Sequence, residues 1–152
     1  MTLEDDVTLL SQVELFQGFS PEQLKLIAFG CQKYSVAANG ELFFQGQPSE
    51  GGYIVIEGIV DLVETTPQGS QVLRRFEQSS LLGEIGLITP NEHFGTAMAV
   101  SNVMVLKIPR AVMRRVLEEY PELAALLFKR ISASLNEMLE PIGDLEKKFA
   151  VE

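Results

Sequence analysis

One histidine and one cysteine bound the reactive chemistry open to this chain. A Cys–His nucleophilic pair needs its two groups within hydrogen-bond reach, and nothing around Cys31 or His93 supports one. A zinc site takes three or four Cys, His or carboxylate ligands, which two distant residues do not supply. No C-x-x-C, H-E-x-x-H, G-x-S-x-G or G-x-x-x-x-G-K-S/T pattern occurs. The sequence therefore predicts no catalytic residue, no metal site and no cofactor: the protein is not an enzyme. Cys31 cannot form an intramolecular disulfide and reads as a small buried hydrophobe.

The elements around these residues fall into three blocks. In the first, residues 1–30, Leu9, Leu10, Val13 and Phe16 recur at helical spacing. Ser20-Pro21-Glu22-Gln23 starts a second helix, with Ser20 as N-cap, Pro21 at the first helical position and Gln23 closing a capping box. Leu24, Ile27 and Ala28 form its apolar side, and Gly30 ends it. In the second block, residues 31–108, short apolar runs alternate with turn residues: 42–44, 53–56, 59–63, 72–76, 96–100 and 103–108. Such runs predict an antiparallel barrel or sandwich. Thr66-Pro67-Gln68-Gly69 reads as the turn of a hairpin. In the third block, residues 109–152, helical spacing returns. Val112, Val116 and Leu117 lie on one side, with Arg110, Arg114 and Arg115 on others. Pro121 then restarts a long helix over 123–139.

The 152 residues suit one domain, and 46% hydrophobic with 22% charged residues is the balance of an ordered globule rather than a disordered chain. Acids outnumber bases 21 to 12, for a net charge of −9. Binding to DNA or to an anionic membrane needs a basic face, so neither is expected. The acidic N-terminus has no signal-like apolar stretch and no run is long enough to span a membrane, which predicts a cytoplasmic protein.

Three stretches carry a resemblance. Gly40-Glu41-Leu42-Phe43-Phe44-Gln45-Gly46, then Tyr53-Ile54-Val55-Ile56-Glu57-Gly58-Ile59-Val60, resemble the β-roll of cyclic nucleotide-binding domains, the sensor domains of catabolite activator and protein kinase A regulatory type. Leu82-Gly83-Glu84-Ile85-Gly86-Leu87 resembles that family's phosphate-binding cassette. The resemblance implies a mainly β, mixed α/β fold: an antiparallel β-roll (double-stranded β-helix, jelly-roll type) flanked by N-terminal and C-terminal helices. It covers one domain, 1–152, with the cassette at 82–97. A short helix starting near Gly83 would aim free amides at an anion.

The resemblance also implies roles. Glu84 takes the place of the Glu that accepts from the ribose 2′-hydroxyl, although an acid there also serves simply to cap local amides. Gly83, Ile85 and Gly86 form the cradle, and Phe94 and Thr96 follow it, Thr96 either facing the pocket or serving the strand. The family's phosphate-pairing Arg is replaced by His93, which is either a ligand contact, most effective when protonated, or a polar loop residue. No Lys or Arg stands between Phe76 and Leu106. The Gly-Asp pair that usually precedes the cassette is also missing from Glu77-Gln78-Ser79-Ser80. Arg74 and Arg75 just upstream project to opposite faces of a strand, so the inward one offers a substitute cation unless both turn to solvent.

Phe128, Ile131, Leu135, Met138, Ile142, Leu145 and Phe149 follow heptad spacing, interrupted at Pro141 and Gly143. Its first five members predict a homodimer through the C-terminal helix; packing on the β-roll is the other reading. The chain ends without length for a helix-turn-helix, and the expected partner is a protein. The expected function is a regulatory sensor of a small ligand, cAMP or cGMP, weakened by loss of the cassette Arg. The alternative is a ligand-free dimerisation or docking module.

Overall fold

The computed structural model describes residues 2–134. Helix α1 (Leu3–Ser11) opens with a capping box in which Thr2 and Asp5 satisfy each other's backbone amides. A 3₁₀ turn, Glu14–Phe16, follows, and then α2 (Pro21–Phe29), whose Ser20–Gln23 capping box forms as expected. Gly30 does end α2, but at φ −95° it is not a left-handed stop. Its role is steric. A Cβ there would sit 2.3 Å from Cγ2 of Val112, so the absent side chain lets α2 pack onto the third helix.

Eight strands follow: β1 (Gln32–Val36), β2 (Glu41–Phe43), β3 (Gly51–Glu57), β4 (Val60–Thr66), β5 (Gly69–Phe76), β6 (Leu81–Leu82), β7 (Thr96–Ala99) and β8 (Val103–Pro109). They form two antiparallel four-stranded sheets, ordered β1-β8-β3-β6 and β2-β7-β4-β5. The β4–β5 hairpin closes with Thr66 opposite Gly69, as the turn residues require. β1 is absent from the sequence expectations because four of its five residues are exposed and show no apolar alternation. β6, two residues long, is below the length at which a pattern can be read.

Alternation along β3 and β8 explains why these strands are apolar almost throughout. Tyr53, Val55, Val103 and Val105 face the roll interior, where they meet Phe43, Phe76 and Leu82. Ile54, Leu106 and Ile108 face the other way, into a second core shared with the helices. A sheet covered on both faces has no polar side to show.

Helix α3 (Arg110–Glu119) buries Met113 and Val116; Val112, expected on the apolar side, is only half-buried beside Gly30. The chain is helical again over 121–134, here called α4. Its inward stripe is Leu123, Leu127 and Ile131, all part of the helix core. This corrects one reading of the heptad seam. Ile131, 2% exposed, is spent inside its own chain, while Phe128 points outward at 51%. Phe128 therefore lies at the margin of the stripe that buries Ile131. Leu135, Met138 and Ile142, with the interruption at Pro141 and Gly143, lie outside the described residues. No helix among the described residues is long and apolar enough to cross a membrane.

Candidate functional site

Strand β6 places the cassette by pairing Leu82 with Tyr53 and Leu81 with Ile54. The chain then reverses at Gly83, in the left-handed region at φ 72°, ψ 37°, where a side chain is disfavoured. A 3₁₀ turn over Glu84–Leu87 follows, and its first internal bond runs from the Gly86 N–H to the Gly83 carbonyl at 3.0 Å. The amides of Glu84 and Ile85 precede that bond, in the position where helix N-termini offer donors to an anion. Ser79, in the segment before the cassette, also adopts a left-handed conformation, at φ 69°.

The turn is anchored from behind. A Cβ on Gly86 would lie 2.1 Å from Ser49 Oγ and 2.6 Å from the Gly51 carbonyl, so only glycine lets it approach β3 this closely. Arg110, the first residue of α3, donates through Nη1 to the Ser49 carbonyl at 2.9 Å and the Gly86 carbonyl at 3.2 Å. Helical spacing assigns Arg110 only a place off the apolar side of α3. Its role as a bridge from cassette to helix depends on a long-range juxtaposition that helical spacing does not encode.

The loop bearing His93 is held against the segment after β2. Gly46 N–H donates to the His93 carbonyl and His93 N–H to the Gln47 carbonyl, each at 2.9 Å; Ser49 N–H donates to the Asn91 carbonyl at 2.7 Å. The His93 side chain is 8% exposed and lies flat on the Phe43 ring, with centroids 3.6 Å apart and planes 10° apart. Phe43 in turn packs against Tyr53 at 5.5 Å. Burial pushes the His93 pKa below its ordinary value, which favours the uncharged ring. The expectation that protonated His93 supplies the missing cation is therefore opposed by its surroundings.

The other candidates divide. Ile85 is half-buried against the helix core, not the roll interior. Phe94 is 58% exposed. The Thr96 hydroxyl accepts from the Gln45 N–H at 3.0 Å, which fits the strand-end reading. Glu84 lines a cleft of about 430 Å³ between the first 3₁₀ turn and α4, with Glu14, Gln17 and Arg130. Arg130 ties the cleft walls together by donating to the Leu15 carbonyl at 2.9 Å and the Gln17 carbonyl at 2.6 Å.

The two upstream arginines also separate. Arg75 forks onto Asp61, at 2.8 and 3.0 Å, on the outer face of β4–β5. That bond lowers the Asp61 pKa. Arg74 pairs across from Leu62 and shares the inner face with Phe76, whose ring its guanidinium covers at 4.8 Å. Among the described residues no cluster of three or more His, Cys, Asp or Glu is placed to hold a metal. Burial raises the Cys31 thiol to about 12, and its Sγ donates to the Ile27 carbonyl, as befits an unreactive packing residue.

Comparison with known proteins agrees with this fold. The family model of the cyclic nucleotide-binding domain matches residues 33–120. The structure of a cyclic nucleotide-binding-like protein from Brucella abortus bv. 1 str. 9-941 superposes with a TM-score of 0.67 at 36% identity, covering 75% of this chain and 98% of that one. The N-terminal domain of a transcriptional regulator from Streptomyces coelicolor A3(2) gives 0.77 at 27% identity, covering 88% and 94%. Lysophospholipase NTE1 of Pyricularia oryzae is 27% identical over 88% of this chain, which spans only 9% of that enzyme's length.

Proposed function

We propose that this chain, which belongs to the cyclic nucleotide-binding domain family, is a non-catalytic regulatory sensor that holds a small ligand at its cassette and reports occupancy to a protein partner through its helices. The observation that supports this reading is the Gly83–Leu87 turn, whose Glu84 and Ile85 amides precede its first internal hydrogen bond and which Arg110 joins to α3. The ligand proposed is cAMP or cGMP. Its phosphate meets the Glu84 and Ile85 amides, and Glu84 offers a carboxylate to the ribose. Glu84 also borders the cleft closed by Arg130, so a ligand that draws this carboxylate inward alters the seat of α4.

Binding is weak on this reading. A charge-assisted hydrogen bond is worth about 1.5–3 kcal/mol, and losing a bidentate guanidinium costs roughly a hundredfold or more in affinity. Calorimetric titration with cAMP and cGMP tests the proposal. Saturable heat that disappears in Glu84→Ala supports it; no heat at millimolar nucleotide counts against it.

A second reading is favoured by the His93–Phe43 stack, which fills part of the roll with the protein's own rings. In that case the domain carries no ligand and acts by docking or dimerisation. His93→Arg separates the two: tight binding that appears only in the variant marks a fold that has given up its ligand.

A further inference from the structure

Helix α3 carries its charges the wrong way round for a lone helix. Arg110 and Arg114 lie in its N-terminal half and Arg115 at its middle, with Glu118 and Glu119 in its last turn; there is no acid in the first turn and no base in the last. A helix macrodipole favours the opposite arrangement. Nothing within the described residues offsets the mismatch. Arg114, Arg115, Glu118 and Glu119 are all exposed, and none of the ion pairs among the described residues involves them. The arginines do not even pair with the glutamates one turn on, an order less favourable than its reverse.

The flanks of the ridge are apolar. On one side Phe29, 68% exposed, stands in a cleft of about 260 Å³ with Leu26 and Val112. On the other, Phe128, 51% exposed, borders a cleft of about 190 Å³ with Ile88 and Leu117.

We infer that this face is a self-association surface on which α3 pairs antiparallel with α3 of a second copy. A two-fold axis near Val116 and Leu117 sets each Arg114–Arg115 pair opposite the other copy's Glu118–Glu119 pair. Such an isologous contact is self-complementary by construction. It also opposes the two helix dipoles, so charges that are unfavourable in one helix become favourable in the pair. A second copy is the occupant that fits. Two chains of net charge −9 repel over most of their surface, whereas this ridge is locally balanced, with two cations facing two anions. Phe29 and Phe128 supply apolar area at its margins. This contact is distinct from the C-terminal heptad seam.

Sedimentation velocity of the full chain, from micromolar to millimolar concentration, tests the inference with two double variants. R114E/R115E and E118R/E119R each make the ridge single-signed, and each should weaken dimerisation at least about tenfold. An equimolar mixture of the two should recover dimers, now as heterodimers. Both variants place charge in the sense the helix dipole favours, so circular dichroism should show unchanged helicity and exclude unfolding as the cause. A wild-type chain that stays monomeric at millimolar concentration overturns the inference. So does dimerisation unaffected by either variant, which would place the contact elsewhere, and so does a mixture that remains monomeric.

Discussion

His93 lies face to face on Phe43, the two rings 3.6 Å apart and 10° from parallel, at the position the family resemblance assigns to a phosphate-pairing Arg. An imidazole in that stack fills space and excludes water. It carries no charge to offer while it stays buried and uncharged. On the proposed reading the cassette offers backbone donors without a cation, which sets up the first prediction.

His93→Arg places a guanidinium at the position the family resemblance assigns to the phosphate-pairing Arg. A charge-assisted pair worth about 1.5–3 kcal/mol corresponds to a gain of roughly ten- to a hundredfold in affinity for cAMP or cGMP. Isothermal titration of wild type and variant measures it. An unchanged affinity would mean that the new side chain cannot leave the Phe43 face.

The same burial makes stability depend on pH. The folded His93 pKa lies below 6.5 and the unfolded one near it, so the unfolded chain binds the extra proton first. Stability from this group is fully present above about pH 6.5 and is lost as pH falls toward the folded pKa. His93→Phe keeps the stack and removes the titration. The difference in unfolding free energy between variant and wild type should be flat above about pH 7 and shift in the variant's favour below about pH 6.5. A difference that stays flat under acid rejects the assignment.

Gly30 and Val112 mark where α2 meets α3. A Cβ at Gly30 would overlap both Val112 methyls, at 2.3 and 2.7 Å, so Gly30→Ala should cost about 1–3 kcal/mol in chemical denaturation. Val112→Ala removes those methyls and leaves its Cβ at 3.1 Å. In that background the Gly30→Ala penalty should fall by half or more, a coupling that a double-mutant cycle reads directly.

Arg110→Met keeps the aliphatic stem and removes the guanidinium from the Ser49 and Gly86 carbonyls. The loss should cost about 1.5–3 kcal/mol of stability. Its signature is local: amide exchange at Gly86, Ile88 and Thr89, the donors that close the cassette turn, should accelerate more than exchange in β3 or β8. Uniform acceleration across the domain would assign Arg110 a general structural role instead.

Local chemistry was legible in the sequence wherever it was written in neighbouring residues. The Ser20–Gln23 box, the Thr66–Gly69 turn and the short helix after Gly83 each depend on a few consecutive positions, and each formed as read. Features set by distant contacts were not legible. β1 is a strand because β8 pairs with it, not because Gln32–Val36 has strand periodicity. Gly30 does end α2, but its steric role toward Val112, in another helix, is not written in neighbouring residues. The heptad seam joined Phe128 to Ile131 on one stripe, whereas the true inward stripe runs Leu123, Leu127, Ile131. A 3-4 pattern fits both when the core it serves is unseen. At the candidate site, the stack of His93 on Phe43 and the Arg130 cleft beside Glu84 arise from tertiary approach, which residue types alone do not encode.

The helix core draws Leu10, Phe16 and Ile27 from before the family-matched segment and Leu127 and Ile131 from after it. Anyone cloning this domain by its recognised boundaries, 33–120, would keep Met113 and Val116 but strip the rest of the helical cover from Ile54, Leu106 and Ile108, leaving apolar sheet facing water. Such a fragment should precipitate or pair edge to edge. Expression trials should therefore retain the flanking helices.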